Sequence, residues 1–199
     1  MRRRTWTKPL IGVVLILSLA GAAAIYARQR VRPPIPGYMQ NLGGDFTLES
    51  ANGQVRLTDF RGDLVLLYFG YTHCPDACPM ALSNMAAAIH RLPKHERARV
   101  HGLFVSLDPR RDTSEILMKY VRFYEPSFVG VTGTPAALKA VAERWNISYS
   151  VPAHPKDMNY VVRHSTFIYL INAEGRAVAL FGDNTPLATM KHDIEAWMP

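Results

Sequence analysis

Leu64 to Phe69 reads LVLLYF, six consecutive apolar residues bounded by Gly62 and Gly70. A run this short is a strand rather than a helix, and a run this continuous leaves neither face for water. It predicts a strand buried on both faces, in the middle of a sheet that helices cover. Val100 to Leu107 (VHGLFVSL) predicts a second central strand of the same kind.

The segments around these two runs carry helix and turn signals. Asn52-Gly53 separates the alternating runs Asp45 to Leu48 and Gln54 to Leu57, a strong hairpin signal. Pro79 to Arg91 has apolar residues at helical spacing, with Pro79 suited to a first turn. Asp112 with Glu115 resembles a capping box for a helix reaching about Tyr124. Thr134 followed by Pro135 opens another helix, through about Trp145. His164 to Ile171 (HSTFIYLI) and Ala177 to Phe181 read as strands joined by the turn Asn172 to Gly175, and Thr185 with Pro186 caps a last helix. Three strands, then helix, strand, two helices, two strands and a final helix imply an α/β domain with a mixed central sheet flanked by helices and an N-terminal hairpin. The β-α-β unit followed by a hairpin and a helix is the pattern of a thioredoxin-like fold.

Charge sets the topology. The chain has 199 residues and a formal net charge of +7. Arg2, Arg3, Arg4, Lys8, Arg28, Arg30 and Arg32 all precede the first acid, Asp45, so the remaining 16 basic residues balance the 16 acidic ones. A nucleic-acid partner is therefore not expected, since it needs clustered charge on the folded domain itself. Leu10 to Ala27 is 18 uncharged residues flanked by that basic excess. It is long enough to cross about 30 Å of hydrocarbon as a helix. The expectation is a cytoplasmic basic segment 1–9, a single transmembrane anchor 10–27, a Pro-rich spacer 28–37 and an exported domain 38–199. A cleavable signal peptide is the rival for 10–27, given the small residues Ala20 to Ala24. In either case the domain lies outside the cytoplasm, on the periplasmic face of the inner membrane if the anchor is kept.

The chemistry rests on the chain's 2 cysteines. Cys74 and Cys78 follow the buried strand, where active sites of open α/β sheets collect. In C-P-D-A-C the sulfurs lie four positions apart, on one side of a helical turn. That spacing permits a disulfide or joint coordination of one metal ion. A helix N-terminus there stabilises thiolate, which both outcomes need. A static staple is poorly motivated, because so short a loop constrains the unfolded chain little.

Among the 7 histidines, His90, His95, His101 and His192 sit on helices or a strand with no partner chemistry in sequence, and His154 lies in a Pro-rich loop. His73 adjoins Cys74 but as a sequence neighbour points elsewhere. His164 opens the strand whose counterpart in thioredoxins carries a cis-proline facing the cysteines. Met80 reads as helix core and Met158 as loop. Asp76 and Asp108, with Pro109, lie on the cysteines' side of the sheet, in turn or cap positions.

Four segments together are specific: YFGYTHCPDACP (Tyr68 to Pro79), SLDPRRDT (Ser106 to Thr113), FVGVTGT (Phe128 to Thr134) and RHSTFIYLINAEGR (Arg163 to Arg176). In this order they resemble the Sco/SenC family of copper chaperones for cytochrome c oxidase assembly. The resemblance implies metal ligands at Cys74, Cys78 and His164. It departs at Arg163, where the family usually carries an acid. Two thiolates and an imidazole suit copper as Cu(I) or Cu(II), one ion per chain. A structural zinc site wants a fourth ligand, and none is evident.

The implied activity is delivery of copper to the copper A centre of oxidase subunit II, with other periplasmic copper carriers or thiol reductants as further partners. The competing activity is a thiol–disulfide oxidoreductase in which Cys74 and Cys78 form the redox pair and keep the oxidase's copper-site cysteines reduced. A peroxidase on the same fold is a third, weaker class.

Overall fold

Every residue of Leu64–Gly70 is buried, as a strand covered on both faces must be. In the computed structural model, which describes residue 18 and residues 32–152 and 157–199, this is strand β3. It follows the hairpin of β1 (Thr47–Ser50) and β2 (Gly53–Arg56). Then come α1 (Ala77–His90), the single turn α2 (Lys94–Arg97), β4 (Val100–Ser106), α3 (Ser114–Tyr124), β5 (Val129–Val131) and α4 (Pro135–Arg144). The chain closes with β6 (Tyr149–Ser150), β7 (Arg163–His164), β8 (Ile168–Ile171), β9 (Ala177–Phe181) and α5 (Leu187–Trp197).

The central sheet has the order β5-β4-β3-β8-β9. Its first three strands run parallel, and β8 is antiparallel to both β3 and β9. The mixed sheet expected from the sequence is therefore present. Successive residues of a strand face opposite sides. Accordingly Tyr68 stacks on Phe104 while Phe69 meets Trp145 and Tyr169 on the other face. Helix α1 packs against α3 and α5. Burying one Leu, Val or Phe side chain is worth about 1.5–3 kcal/mol, so β3 alone is a large share of the core, and a charge at Leu66 would break it.

Local signals explain some boundaries and correct others. Thr134 caps α4 by accepting from the Ala137 N–H at 3.2 Å, with Pro135 in the first turn. The cap of α3 is Thr113, which accepts from the Ile116 N–H. Asp112 does not cap because its buried carboxylate is taken by Thr72 and Ser106. Thr185 does not cap α5, which begins after Pro186 without a side-chain cap. The first hairpin strand sits two residues later than expected and the second one residue earlier: Ser50 pairs with Gly53, and the glycine closes the turn at φ +106°. The largest correction concerns HSTFIYLI. It is not one strand: β7 pairs with β6, and residues 165–167 lead irregularly into β8. The break is held by the Ser165 N–H donating to the Ser148 carbonyl at 2.9 Å.

The chain divides into two compact units, Met1–Pro34 and Ile35–Pro199, and the sheet belongs to the second. Pro36, at φ −55° and ψ 142°, has extended backbone and precedes a short turn at Gly37–Met39. The expected anchor 10–27, apart from residue 18, lies outside the described residues, as does His154. Among the described residues no helix is long and apolar enough to cross a membrane.

Candidate metal centre

The C-terminal end of β3 delivers the chain into a tight loop that a buried acid fixes. The Thr72 N–H donates to Asp112 at 2.9 Å and the Thr72 hydroxyl to the other carboxylate oxygen at 2.5 Å. Ser106, at the end of the neighbouring strand β4, donates to the same carboxylate at 2.5 Å. The loop then places Cys74 just before α1 and Cys78 in its first turn. Cys78 is fully buried and Cys74 half-buried.

Gly70 makes room for this arrangement. A Cβ at that position would lie 2.6 Å from the Cys78 sulfur, closer than van der Waals contact allows. The glycine that ends the buried strand is thus also the recess that receives Cys78.

His164 reaches the pair from β7. Its Nε2 lies 3.6 Å from the Cys78 Sγ, and its Nδ1 lies 2.8 Å from the Ser165 carbonyl. A carbonyl only accepts, so Nδ1 carries the proton and Nε2 presents a lone pair to the thiols. The rings of Tyr68 and Tyr71 meet the imidazole edge-on, with centroids 6.1 Å and 5.8 Å away. The two sulfurs and an imidazole nitrogen all lie within 4.8 Å of one another. Among the described residues no other His, Cys, Asp or Glu group converges in this way. The three residues implied by the sequence resemblance are therefore the three brought together.

The electrostatics separate the two thiols. The Cys78 N–H, at the helix start, lies 3.4 Å from the Cys74 Sγ. The Cys78 thiol, then His164 and the backbone N–H groups of Cys78 and Asp76, outweigh burial and pull the Cys74 pKa well below the usual thiol range. Cys78 is pushed up, first by the neighbouring Cys74 and then by burial. The first proton lost from the pair comes from Cys74.

A second buried cluster holds the segment that carries His164. Asp108 and Arg111, both buried, form an ion pair at 2.5 Å. The Tyr160 hydroxyl donates to Asp108 at 2.7 Å, and Arg111 donates to the carbonyls of Met158 and Tyr160 at 2.9 Å and 2.8 Å. The guanidinium also lies over the Tyr160 ring at 3.6 Å and near the Tyr71 ring at 5.4 Å. It therefore links the loop that carries the cysteines to the segment that enters β7. Sequence placed Asp108 on the right side of the sheet but gave no sign of its pairing with Arg111.

Other expected positions differ in outcome. His73 is 53% exposed and turns to Thr72 and Asp112, away from the thiols. Asp76 takes the N-cap position of α1 without a side-chain cap bond. Met80 is 39% exposed rather than core, because the first turn of α1 stands at the rim of the site. Met158 is exposed on its loop, as expected. His90 and His101 are held by Glu125 and Asp63.

The family model described as SCO1/SenC matches residues 36–199. The chain belongs to the SCO1/SenC family. Among SCO1/SenC relatives, the SCO2-like protein of Rickettsia felis is 34% identical over 195 residues, covering 92% of this chain and 95% of the relative. The solution structure of apo Sco1 from Thermus thermophilus has 33% identity and a TM-score of 0.73, covering 84% of this chain and 95% of that one. The crystal structure of Arabidopsis thaliana ScoI with copper bound has 34% identity and a TM-score of 0.69, covering 77% and 96%.

Proposed function

We propose that this domain binds one copper ion through the Cys74 and Cys78 thiolates and the His164 imidazole, and carries it as cargo for cytochrome c oxidase assembly. The observation that carries the reading is the convergence of those three donors within 4.8 Å at the end of the buried strand. Soft thiolates favour Cu(I), and an imidazole accommodates either oxidation state. The copper-bound Arabidopsis thaliana relative supports the same cargo. Three ligands with Cys78 buried and Cys74 half-buried leave the ion approachable from the Cys74 side, as transfer to a partner requires. Binding displaces the thiol protons, so loading needs the reduced pair and weakens in acid.

The acceptor in this reading is the copper A centre of oxidase subunit II. The segment 10–27 holds the domain at the outer face of the cytoplasmic membrane, with 1–9 in the cytoplasm. Anaerobic titration of the reduced full chain with Cu(I) tests the site: one equivalent is expected, with none retained by Cys74→Ser. Full retention by that variant would overturn the site.

A second reading, thiol–disulfide exchange, is favoured by the asymmetry of the two thiols. The Cys74 thiolate attacks a partner disulfide and releases one partner thiolate. Cys78 then loses its proton and attacks the Cys74 sulfur, freeing the partner as a dithiol and leaving a Cys74–Cys78 disulfide. His164→Ala separates the readings: it weakens copper binding and leaves exchange largely intact.

A further inference from the structure

The Tyr68 hydroxyl is a polar group at this site without a partner. Tyr68 is fully buried, and among the described residues its oxygen finds no hydrogen-bond partner. Such a group costs stability unless something accepts its proton. Its surroundings name the acceptor. A Cβ built on Gly70 would lie 2.6 Å from the Cys78 Sγ and 3.1 Å from the Tyr68 Cε1, the ring carbon beside the one that bears the hydroxyl. Sulfur and phenol edge therefore face each other across the glycine. The same ring stands edge-on to His164.

We propose that Tyr68 is a positioning residue whose hydroxyl donates to the Cys78 sulfur when that sulfur is a metal-bound thiolate, and so biases the site toward Cu(I). A neutral thiol is a weak acceptor, whereas a thiolate is a charged one. The hydroxyl meets no hydrogen-bond geometry in the metal-free dithiol, though Cys78 is near enough to raise its pKa, and loading turns that weak acceptor into a charged one. A phenol keeps its proton at neutral pH, and burial, with Cys78 adding to it, reinforces that here. Donation to a thiolate withdraws electron density from the metal–sulfur bond, which favours the lower oxidation state. The bias toward Cu(I) rests on the copper reading above; the hydrogen bond itself does not.

The test compares the full chain with Tyr68→Phe, which removes only the oxygen. Three results are expected. The metal-free variant unfolds at the same or a higher urea concentration than the parent. The sulfur-to-Cu(II) charge-transfer band moves to lower energy. The ratio of Cu(I) to Cu(II) affinity falls about tenfold, the lower end for an outer partner of a ligand, equivalent to a potential about 59 mV lower. Tyr120→Phe removes another buried hydroxyl without a partner, and it should leave the band in place. An unmoved band in Tyr68→Phe overturns the proposal, whatever happens to stability. If the parent takes up no copper, the copper reading fails, and the thiolate band of the Co(II)-loaded pair still decides whether Tyr68 donates to Cys78.

Discussion

Strands β3 and β4 carry a histidine cluster at each end, and the two clusters have opposite character. At the N-terminal end, His101 contacts Asp63 at 2.9 Å and Arg99 donates to the same carboxylate at 3.1 Å. Arg99 also donates to the Gly62 and Pro199 carbonyls. Each of these groups answers another, and the cluster is closed. At the C-terminal end, His164 faces two free thiols with its lone pair, beside a tyrosine hydroxyl without a partner. A histidine beside ionisable groups is therefore no sign of a site by itself; what marks one is the convergence of two sulfurs and an imidazole nitrogen within 4.8 Å of one another.

The largest way to break this contrast is Cys74→Ser. Copper retention, measured by competition with a chelator, should fall by more than the about 10–100-fold typical of an outer partner. The folded domain should survive, because Cys74 is only half-buried.

Next comes Arg111→Met, which leaves the buried Asp108 carboxylate without its cation. Urea unfolding should show a loss of about 3–5 kcal/mol, and copper binding should weaken as the segment carrying His164 loosens. A stability loss below about 1 kcal/mol would mean that the pair does not hold that segment.

A third prediction concerns pH. Cys74 has a folded-state pKa below its unfolded value near 8.5. Its contribution to the stability of the reduced, metal-free protein is complete above that value and fades as pH falls toward the folded pKa. Cys78 is shifted upward, so its contribution is present below about 8.5 and is lost as pH rises further. The pair thus gives the dithiol form its greatest stability near pH 8.5. Iodoacetamide at pH 6, followed by peptide mass analysis, should label Cys74 well ahead of Cys78. Equal labelling would contradict the asymmetry.

The smallest effect belongs to the closed cluster. Burial raises the Asp63 pKa, but the hydrogen bonds from His101 and Arg99 outweigh it and hold it below the usual carboxylate value. Its stabilisation is present above about pH 3.9 and is lost as pH falls through the folded value. Asp63→Asn should cost under about 1 kcal/mol, since the pair is partly exposed, and copper affinity should not change.

Much of this was legible in the sequence because the signals were local. The run LVLLYF could only be a central strand, Thr134-Pro135 could cap a helix unaided, and C-P-D-A-C put two sulfurs on one turn. What was not legible depends on partners distant in sequence. Asp112 reads as a cap but is claimed by Thr72, 40 residues away. Strand β5 (Val129–Val131) was missed because three residues around Gly130 carry no periodicity; it exists by pairing with β4. The break in HSTFIYLI depends on Ser148, 17 residues upstream. Gly70 read as the end of a strand, and its role as the recess for Cys78 appears only once α1 folds back over β3.

The most direct test of the three-donor centre is X-ray absorption on the Cu(I)-loaded full chain. Two sulfur scatterers and one nitrogen scatterer per copper, with the nitrogen lost in His164→Ala, is the predicted result. A copper shell of two sulfurs alone in the parent, or one unchanged in that variant, would contradict it.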